Sequence, residues 1–438
     1  LEEYRPVMPP VNEFASDLFP AELFVYRART KEELAAAIRK SLKDLDQIQA
    51  IKELGLESEA VSLDKRRLLE ISRRAFNRAR IHDHNETLEA RICSLALIAT
   101  NLDELRTKLT EFLNRPTSPE PADKDKPMKD PRGIYYSSTA AAMNNKIGFL
   151  FPGQGSQRPD MLLDLSLYFP EIRQELEEAD AALADCLDRP LSSFIYPPPS
   201  FDQNSLAQQK KELDDTRVAQ PALGTLDMAS MRILASFGIK PDMVAGHSYG
   251  EYVALWAAGV IDKKSLTEIS AERGRILATP DQEGGMLAVL SSGDTVEDLV
   301  EDHDGVSIAN HNSPKQTVVA GNSASIESFS TRAQEMGLVV KSVAVSQAFH
   351  SPLMLNAGQK LAEKLKGLEF SKPELPIFSN TTGEVYSKDP ERIRKTLIEH
   401  SGEILAAVEK HACRRRRSHN RMRSWSDSHR PGGIKLSG

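Results

Sequence analysis

A serine hydroxyl becomes a useful nucleophile only with a base in hydrogen-bond reach and donors aimed at the developing oxyanion. The run Gly246-His247-Ser248-Tyr249-Gly250 sets a serine between two glycines in the G-x-S-x-G spacing. That spacing suits a strained strand-to-helix turn, because glycines let strand and helix close up around the serine. Met243-Val244-Ala245 before it reads as a buried strand, and Glu251 to Ala258 after it as a helix. The blander reading is a glycine-rich turn with an incidental serine. Two further runs bear on the choice. Phe151-Pro152-Gly153-Gln154-Gly155-Ser156-Gln157 can turn backbone N–H groups toward a reacting carbonyl, or can be only a turn. Gln347-Ala348-Phe349-His350-Ser351-Pro352 begins about 100 residues after Ser248, and His350 could supply the base. An isolated histidine is more often structural than catalytic.

The elements that must position these groups fall into two textures. Leu23-Phe24-Val25-Tyr26 reads as a strand, and Thr30 with Glu33 three residues on opens a helix to about Leu45. A second helical stretch covers Leu68 to Arg80. Arg91 to Leu97 reads as a strand, and Asn101 with Glu104 repeats the capping spacing. This predicts a small α/β unit over 23–115, followed by a Pro-rich, charged linker over 116–145. From Lys146 the pattern changes. Ile147 to Phe151 is expected to be a buried strand. Met286–Leu290, Val306–Ala309 and Thr317–Ala320 are shorter strand candidates, interleaved with helical stretches near 295–302 and 323–336. They read as a small α+β insert.

The chain has 438 residues, 40% hydrophobic and 27% charged, with no run approaching the roughly 18 apolar residues of a membrane span. A formal charge of −7 gives no reason to expect a nucleic-acid partner. Three scattered cysteines, Cys93, Cys186 and Cys413, argue against a disulfide framework or a Cys-rich metal site and fit a reducing cytoplasm. His82-Asp83-His84 lacks a third ligand and reads as a surface polar cluster, so no metal is expected. The chain opens on Leu1 with a polar, acidic stretch without a signal-peptide core, and is expected to be a piece of something longer.

The three chemistry-bearing runs, in this order, resemble the acyltransferase domains of type I polyketide synthases and the malonyl-CoA:acyl carrier protein transacylases. Pro152–Gln157, Gly246–Glu251 and Ala348–Ser351 carry the resemblance. Gln220-Pro221-Ala222-Leu223, Arg273-Gly274-Arg275 and Asn310-His311-Asn312-Ser313-Pro314 extend it over about 146–390. The implied fold is α/β: an α/β-hydrolase-like large subdomain (146–281 and 347–410) with a small ferredoxin-like insert (282–346). A ketosynthase-to-acyltransferase linker domain (23–115) would precede it, after a post-ketosynthase segment (1–22). The implied roles are Ser248 as acylated nucleophile, His350 as base, and the Gln154 and Tyr249 N–H groups as oxyanion hole. Arg273 would hold the free carboxylate of a malonyl group, a task suited to a planar guanidinium; without the resemblance it would read as a solvated helix arginine. Gln220 would line the same pocket, and His247 would shape the elbow without moving protons. Ala348-Phe349-His350 is similar to the malonyl-selective version, where a Ser-His ending marks the methylmalonyl one. Tyr249 and the lead-in Asp130 to Tyr136 look similar to iterative synthases of the polyunsaturated fatty acid and enediyne kind. The implied partners are malonyl-CoA, a phosphopantetheine-bearing acyl carrier protein and a ketosynthase upstream in the same polypeptide. No cofactor of the chain's own is implied.

Two rival classes remain. A thioesterase or esterase of α/β-hydrolase type needs an acid between Ser248 and His350, for which Asp294, Asp302 and Asp304 are available within the insert. A catalytically inert scaffold is the other. The end of the chain departs from the family, which closes with a strand ending in a Gly-Pro turn. After Val408 no apolar run of strand length occurs. From Cys413 to Gly438 eight Lys/Arg face one acid, a net of +7, which leaves −14 for the rest of a chain whose total is −7. The tail 411–438 is expected to be disordered. It reads either as a basic segment for an acidic partner or as an end whose reading frame has shifted. Sequencing the locus is expected to show the family's final strand in another frame if the shift is real, and no such strand if it is not.

Overall fold

The structure is a computed structural model and describes residues 19–53, 67–75, 93–115, 128–137, 146–278, 284–343 and 355–402. Two compact units divide between Asn145 and Lys146.

The first unit runs β1 (Glu22–Ala28), α1 (Lys31–Glu53), α2 (67–75), β2 (Cys93–Ala99), α3 (Leu102–Asn114), β3 (Met128–Asp130) and β4 (Ile134–Ser137). The four strands form an antiparallel sheet in the order β1-β2-β4-β3. Alternation decides which face is covered. Phe24, Tyr26 and Ala28 pair with Leu97, Leu95 and Cys93, and all six are buried. Leu34 and Ile38 of α1, Leu68 and Ile71 of α2, and Leu105 and Leu109 of α3 pack in the same core. The capping spacings do their work: Asn101 accepts the Glu104 N–H at 2.8 Å and Thr30 accepts the Glu33 N–H at 3.1 Å. Helix α1 continues past Leu45, with Ile48 packed against the same core. The stretch read as a linker, 116–145, contains a hairpin. Its strands are too short to show a period of two, and a turn with Gly133 at φ +85° joins them. Asp130 takes hydrogen bonds from Arg115 and Arg132, so charges that suggested a solvated linker hold a turn in place.

The second unit opens with β5 (Gly148–Phe151). A helical block follows: α4 (Leu163–Tyr168), α5 (Pro170–Ala182), α6 (Leu191–Ile195), α7 (Gln203–Asp214) and α8 (Thr216–Ser236). Then come β6 (Met243–Gly246), α9 (Gly250–Ala257) and α10 (Lys263–Leu277). The insert is β7 (Gly284–Val289), α11 (Gly293–Glu301), β8 (Val306–Ser313), β9 (Gln316–Asn322), α12 (Ser323–Glu335) and β10 (Val340–Ser342). The chain returns through α13 (Leu355–Lys366), β11 (Ile377–Phe378) and α14 (Pro390–Gly402). In the large part, β11, β6 and β5 form a parallel sheet in that order. Val244, Tyr252, Val253, Leu266, Leu361 and Leu397 belong to its core. In the insert the antiparallel order β10-β7-β9-β8 with a helix after β7 and after β9 is a ferredoxin-like arrangement. Leu287, Val289, Val296, Val319 and Phe329 are its core.

One expectation fails at β5, which is not buried throughout. Leu150 is 80% exposed and Ile147 43%, while Phe151 is buried. Among the described residues β5 is an edge strand, so one flank lacks the cover that a central strand has.

Phe329 is fully buried in the insert. Phe329→Ala is expected to lower its stability by about 3–5 kcal/mol, checked by a denaturation midpoint followed with a probe in the insert.

Candidate active site

Strand β6 ends at Gly246 and α9 starts at Gly250, and Ser248 between them has φ +52°. This is the left-handed region, where a non-glycine residue is strained and needs its surroundings to hold it. The surroundings are tight because three glycines permit it. A Cβ on Gly246 would lie 1.9 Å from the Gly250 carbonyl carbon, and one on Gly250 would lie 2.3 Å from the Phe151 carbonyl oxygen. A Cβ on Gly153 would lie 2.5 Å from the His247 carbonyl oxygen. The His247 N–H donates to Phe151 O at 2.9 Å. The elbow and the Pro152–Gln157 loop are thus packed backbone to backbone, with the loop beside the first turn of α9.

That loop is tied in turn to α7 and α8. Gln157 accepts the Gly155 N–H at 2.7 Å and donates to Asp214 at 2.8 Å. Gln154 Nε2 donates to Thr216 Oγ1 at 3.0 Å, and Gln220 Nε2 donates to Gln154 Oε1 at 3.2 Å. Helix α10 reaches the same place because Gly274 lies against the Thr216 carbonyl, where a Cβ would come within 2.7 Å. Arg273 precedes Gly274 on α10, at this close approach to the start of α8. Arg273 is only 7% exposed, with its guanidinium 5.4 Å from the Tyr252 ring centroid. Among the described residues its Nε has no hydrogen-bond partner. A buried donor without a partner is a costly arrangement that a bound anion would relieve.

Tyr249 joins the elbow to α8 and α10. Its ring is fully buried and stacked on Tyr252 at 6.3 Å. Its hydroxyl lies 2.6 Å from Ser270 Oγ. Ser270 donates its own proton to Leu266 O, so Tyr249 donates to Ser270. Gly224 makes the room, since a Cβ there would sit 2.2 Å from the phenol oxygen. Burial pushes the Tyr249 phenol above its ordinary range, so it stays neutral. Asp227, one turn further along α8, is within electrostatic reach of that phenol, and burial pushes its carboxyl up to about 7. On the solvent side His247 Nε2 lies 3.2 Å from Asn312 Oδ1, and Asn312 donates to Gln316 at 3.2 Å. The insert therefore touches the elbow directly.

The structure gathers Gln154, Gln220, His247, Ser248, Tyr249 and Arg273 into one region. His350 and Phe349 lie outside the described residues, as do His82-Asp83-His84, Cys413 and the tail 411–438. Asp294, Asp302 and Asp304 sit in the insert, on α11 and just after it. Among the described residues no three His, Cys, Asp or Glu side chains cluster as a metal site would require, and no helix is long and apolar enough to cross a membrane. A cavity of about 860 Å³ opens among α5, α10 and α13, but none of the site residues lines it. Glu175–Lys263 and Glu272–Lys364 ion pairs occupy its walls. Proximity to Ser248, rather than cavity size, defines the site.

A sequence profile described as the acyl transferase domain matches residues 148–412. The chain belongs to the acyl transferase domain family. It is 35% identical over 263 residues to the malonyl CoA-acyl carrier protein transacylase of Bacillus subtilis, covering 58% of this chain and 78% of that protein. It is 33% identical over 274 residues to polyketide synthase GfsB of Streptomyces halstedii, covering 62% of this chain but 5% of that synthase. Large synthases of this kind are thus matched over a small part of their length. Among solved structures, the malonyl-transacylase PlMCAT in complex with its type II acyl-carrier protein AntF matches at TM-score 0.53 and 32% identity, over 59% of this chain and 81% of that one. The α/β-hydrolase-like large part with its ferredoxin-like insert is the fold of this acyl transferase family.

Several residues around the acyl transferase elbow carry no local signal of their own. Thr216, Gly224 and Ser270 look like ordinary helix residues, and only the tertiary approach of the Gln154 loop and of Tyr249 gives them partners. Asn380 and Tyr386 are in the same position, since their hydrogen bonds to Gly246 and Glu251 connect segments far apart in the chain.

Because the folded-state value of Asp227 lies above its ordinary 3.8, stability is lost as pH rises from there toward about 7. Asp227→Asn is expected to match the wild type near pH 4 and to exceed it in stability at pH 8. Denaturant midpoints at both pH values check this, and an equal shift at each would exclude it.

Proposed function

We propose that this chain moves a malonyl group from malonyl-CoA to the phosphopantetheine thiol of an acyl carrier protein through an acyl-Ser248 intermediate. One observation carries the reading. A serine held at φ +52° in a strand–turn–helix elbow shares its region with a buried arginine whose Nε lacks a partner among the described residues. The elbow suits acyl transfer generally, and the arginine suits an acyl group with a free carboxylate. The names of the Bacillus subtilis transacylase and of the PlMCAT–AntF complex support the same substrate and carrier.

In the first half-reaction Ser248 Oγ bonds to the thioester carbonyl carbon while its proton passes to His350. The carbon–sulfur bond breaks, and the coenzyme A thiolate leaves with that proton. In the second, the carrier thiol gives its proton to His350 and its sulfur bonds to the acyl carbon. The ester bond breaks and Ser248 Oγ recovers the proton. The N–H groups of Gln154 and Tyr249 receive the oxyanion; loss of one such donor costs about 3 kcal/mol in comparable sites. Arg273 clamps the malonyl carboxylate, with Gln220 lining the pocket. Phe349 opposes an added methyl, a discrimination of about 1–3 kcal/mol. His247 shapes the elbow. The chemistry draws on the two thioester partners and on no cofactor of its own. A cytoplasmic synthase with a ketosynthase ahead of the first unit is the setting that fits both units.

Incubation with malonyl-CoA is expected to give a stable malonyl adduct by intact mass, absent in Ser248→Ala. Arg273→Ala is expected to cut malonyl loading relative to acetyl loading by about tenfold or more. Unchanged malonyl selectivity in that variant would sink the clamp assignment, and rapid hydrolysis without adduct would favour a thioesterase.

A further inference from the structure

We infer that Glu251, Asn380 and Tyr386 form a bracket that holds both arms of the elbow, with Asn380 acting as a positioning residue for acylation of Ser248. The inference rests on Ser248 as the acylated nucleophile.

Strand β11 pairs with β6 at Ile377–Val244 and Phe378–Ala245, and the chain then leaves the sheet. Where a longer strand would have continued the ladder, the side chain of Asn380 takes over. Its Nδ2 donates to the Gly246 carbonyl at 2.7 Å, two residues before Ser248. Its backbone N–H donates to Glu251 Oε1 at 2.8 Å, three residues after Ser248. One residue therefore grips the strand arm and the helix arm of the turn. Glu251 is fully buried, and the same oxygen accepts the Tyr386 hydroxyl at 2.8 Å. Burial, with the Glu251 carboxylate beside it, pushes the Tyr386 phenol upward, so Tyr386 stays a donor. Tyr386 is itself fixed by its N–H to Ile377 O at 2.8 Å, and the intervening turn by Ser379 N–H to Glu384 O at 2.9 Å. A carboxylate in the first turn of a helix is favoured by the helix dipole, and its two hydrogen bonds are of the stronger, charge-assisted kind. Both fall on Oε1, and they offset part of the cost of burying the group, whose Oε2 has no hydrogen-bond partner among the described residues.

The bracket has little to do with general stability at Asn380, which is exposed. Its effect falls on the spacing between Gly246 and Glu251, and that spacing sets the backbone of Ser248 and the direction of the Tyr249 N–H. A shift there affects the transition state more than the binding of malonyl-CoA, whose carboxylate contact lies on α10.

Rapid-quench intact mass with malonyl-CoA tests this on the full chain. Asn380→Ala is expected to lower the acylation rate constant at saturating malonyl-CoA by about tenfold, with KM within about twofold and the thermal midpoint close to wild type. Glu251→Gln keeps the accepting oxygen and is expected to recover most of the rate lost in Glu251→Ala. Hydrogen exchange provides a second reading that needs no activity: Asn380→Ala is expected to raise exchange across 246–251 and leave the insert unchanged. Wild-type acylation and exchange rates in Asn380→Ala would overturn the bracket. A rate loss that merely tracks the folded fraction by circular dichroism would overturn it too. A wild-type protein that forms no adduct would instead overturn the acyltransferase reading, and exchange would still decide the bracket.

Discussion

Ser248 is held in a backbone conformation that an isolated serine would leave. Strain of this kind costs of order 1–3 kcal/mol and persists only where the surroundings over-determine it. Much of the second unit can be understood as that over-determination. Gly246, Gly250 and Gly153 exist as glycines because strand, helix and loop pass within van der Waals limits of one another. Strands β5 and β11 flank β6 and fix where the elbow begins. Helices α8 and α10 back the elbow through Tyr249, and the insert meets it through Asn312. The result is a half-buried serine at the head of a helix, with the Gly250, Glu251 and Tyr252 N–H groups turned back onto the His247, Ser248 and Tyr249 carbonyls.

A second layer of the site is polar and buried. Gln220, Tyr249, Glu251, Ser270, Arg273 and Thr216 are all inside the large part. Groups of this kind do not stabilise a core; they specify it, because each has few arrangements in which its partners are met. The Tyr249–Ser270–Leu266 chain is an example. One proton per hydroxyl gives the chain one direction, and Gly224 leaves room for a phenol oxygen and nothing larger. Arg273 lies one turn from Ser270 and over the Tyr252 ring, and its Nε, like Gln220 Oε1 and Glu251 Oε2, has no hydrogen-bond partner among the described residues.

Local periodicity and motif spacing made much of this readable from the residues. The strand before Ser248, the helix after it, three strands and two helices of the insert, and the capped helices of the first unit all announce themselves over a few residues. What escaped has a common cause. The hairpin at 128–137 is short and is held by Asp130 with Arg115 and Arg132, so its composition mimics a linker. Strand β5 was legible as a strand, but its exposure depends on having β6 on one flank only. Asn380 gives no signal because its meaning lies in two atoms of the elbow, and Ser270 none because its partner is a tyrosine on another element. Chemistry-bearing residues sit in runs; the residues that aim them do not.

The hydrogen bond from Asn380 to Gly246 spans 134 positions of sequence. A chain emerging from the ribosome delivers Ser248 long before it delivers Asn380, at roughly 5–20 residues per second. Helices α9 and α10, the glycine-rich loop and the insert can meet the elbow in that interval, but the Asn380 bonds to Gly246 and Glu251 wait for the stretch around β11. The first unit, whose strands and helices lie entirely ahead of Lys146, can be complete by then. The grip of Asn380 on the turn around Ser248 therefore comes only with the return of the chain through α13 and β11, which also supplies Leu361, Leu365 and Ile377 to the core beneath it.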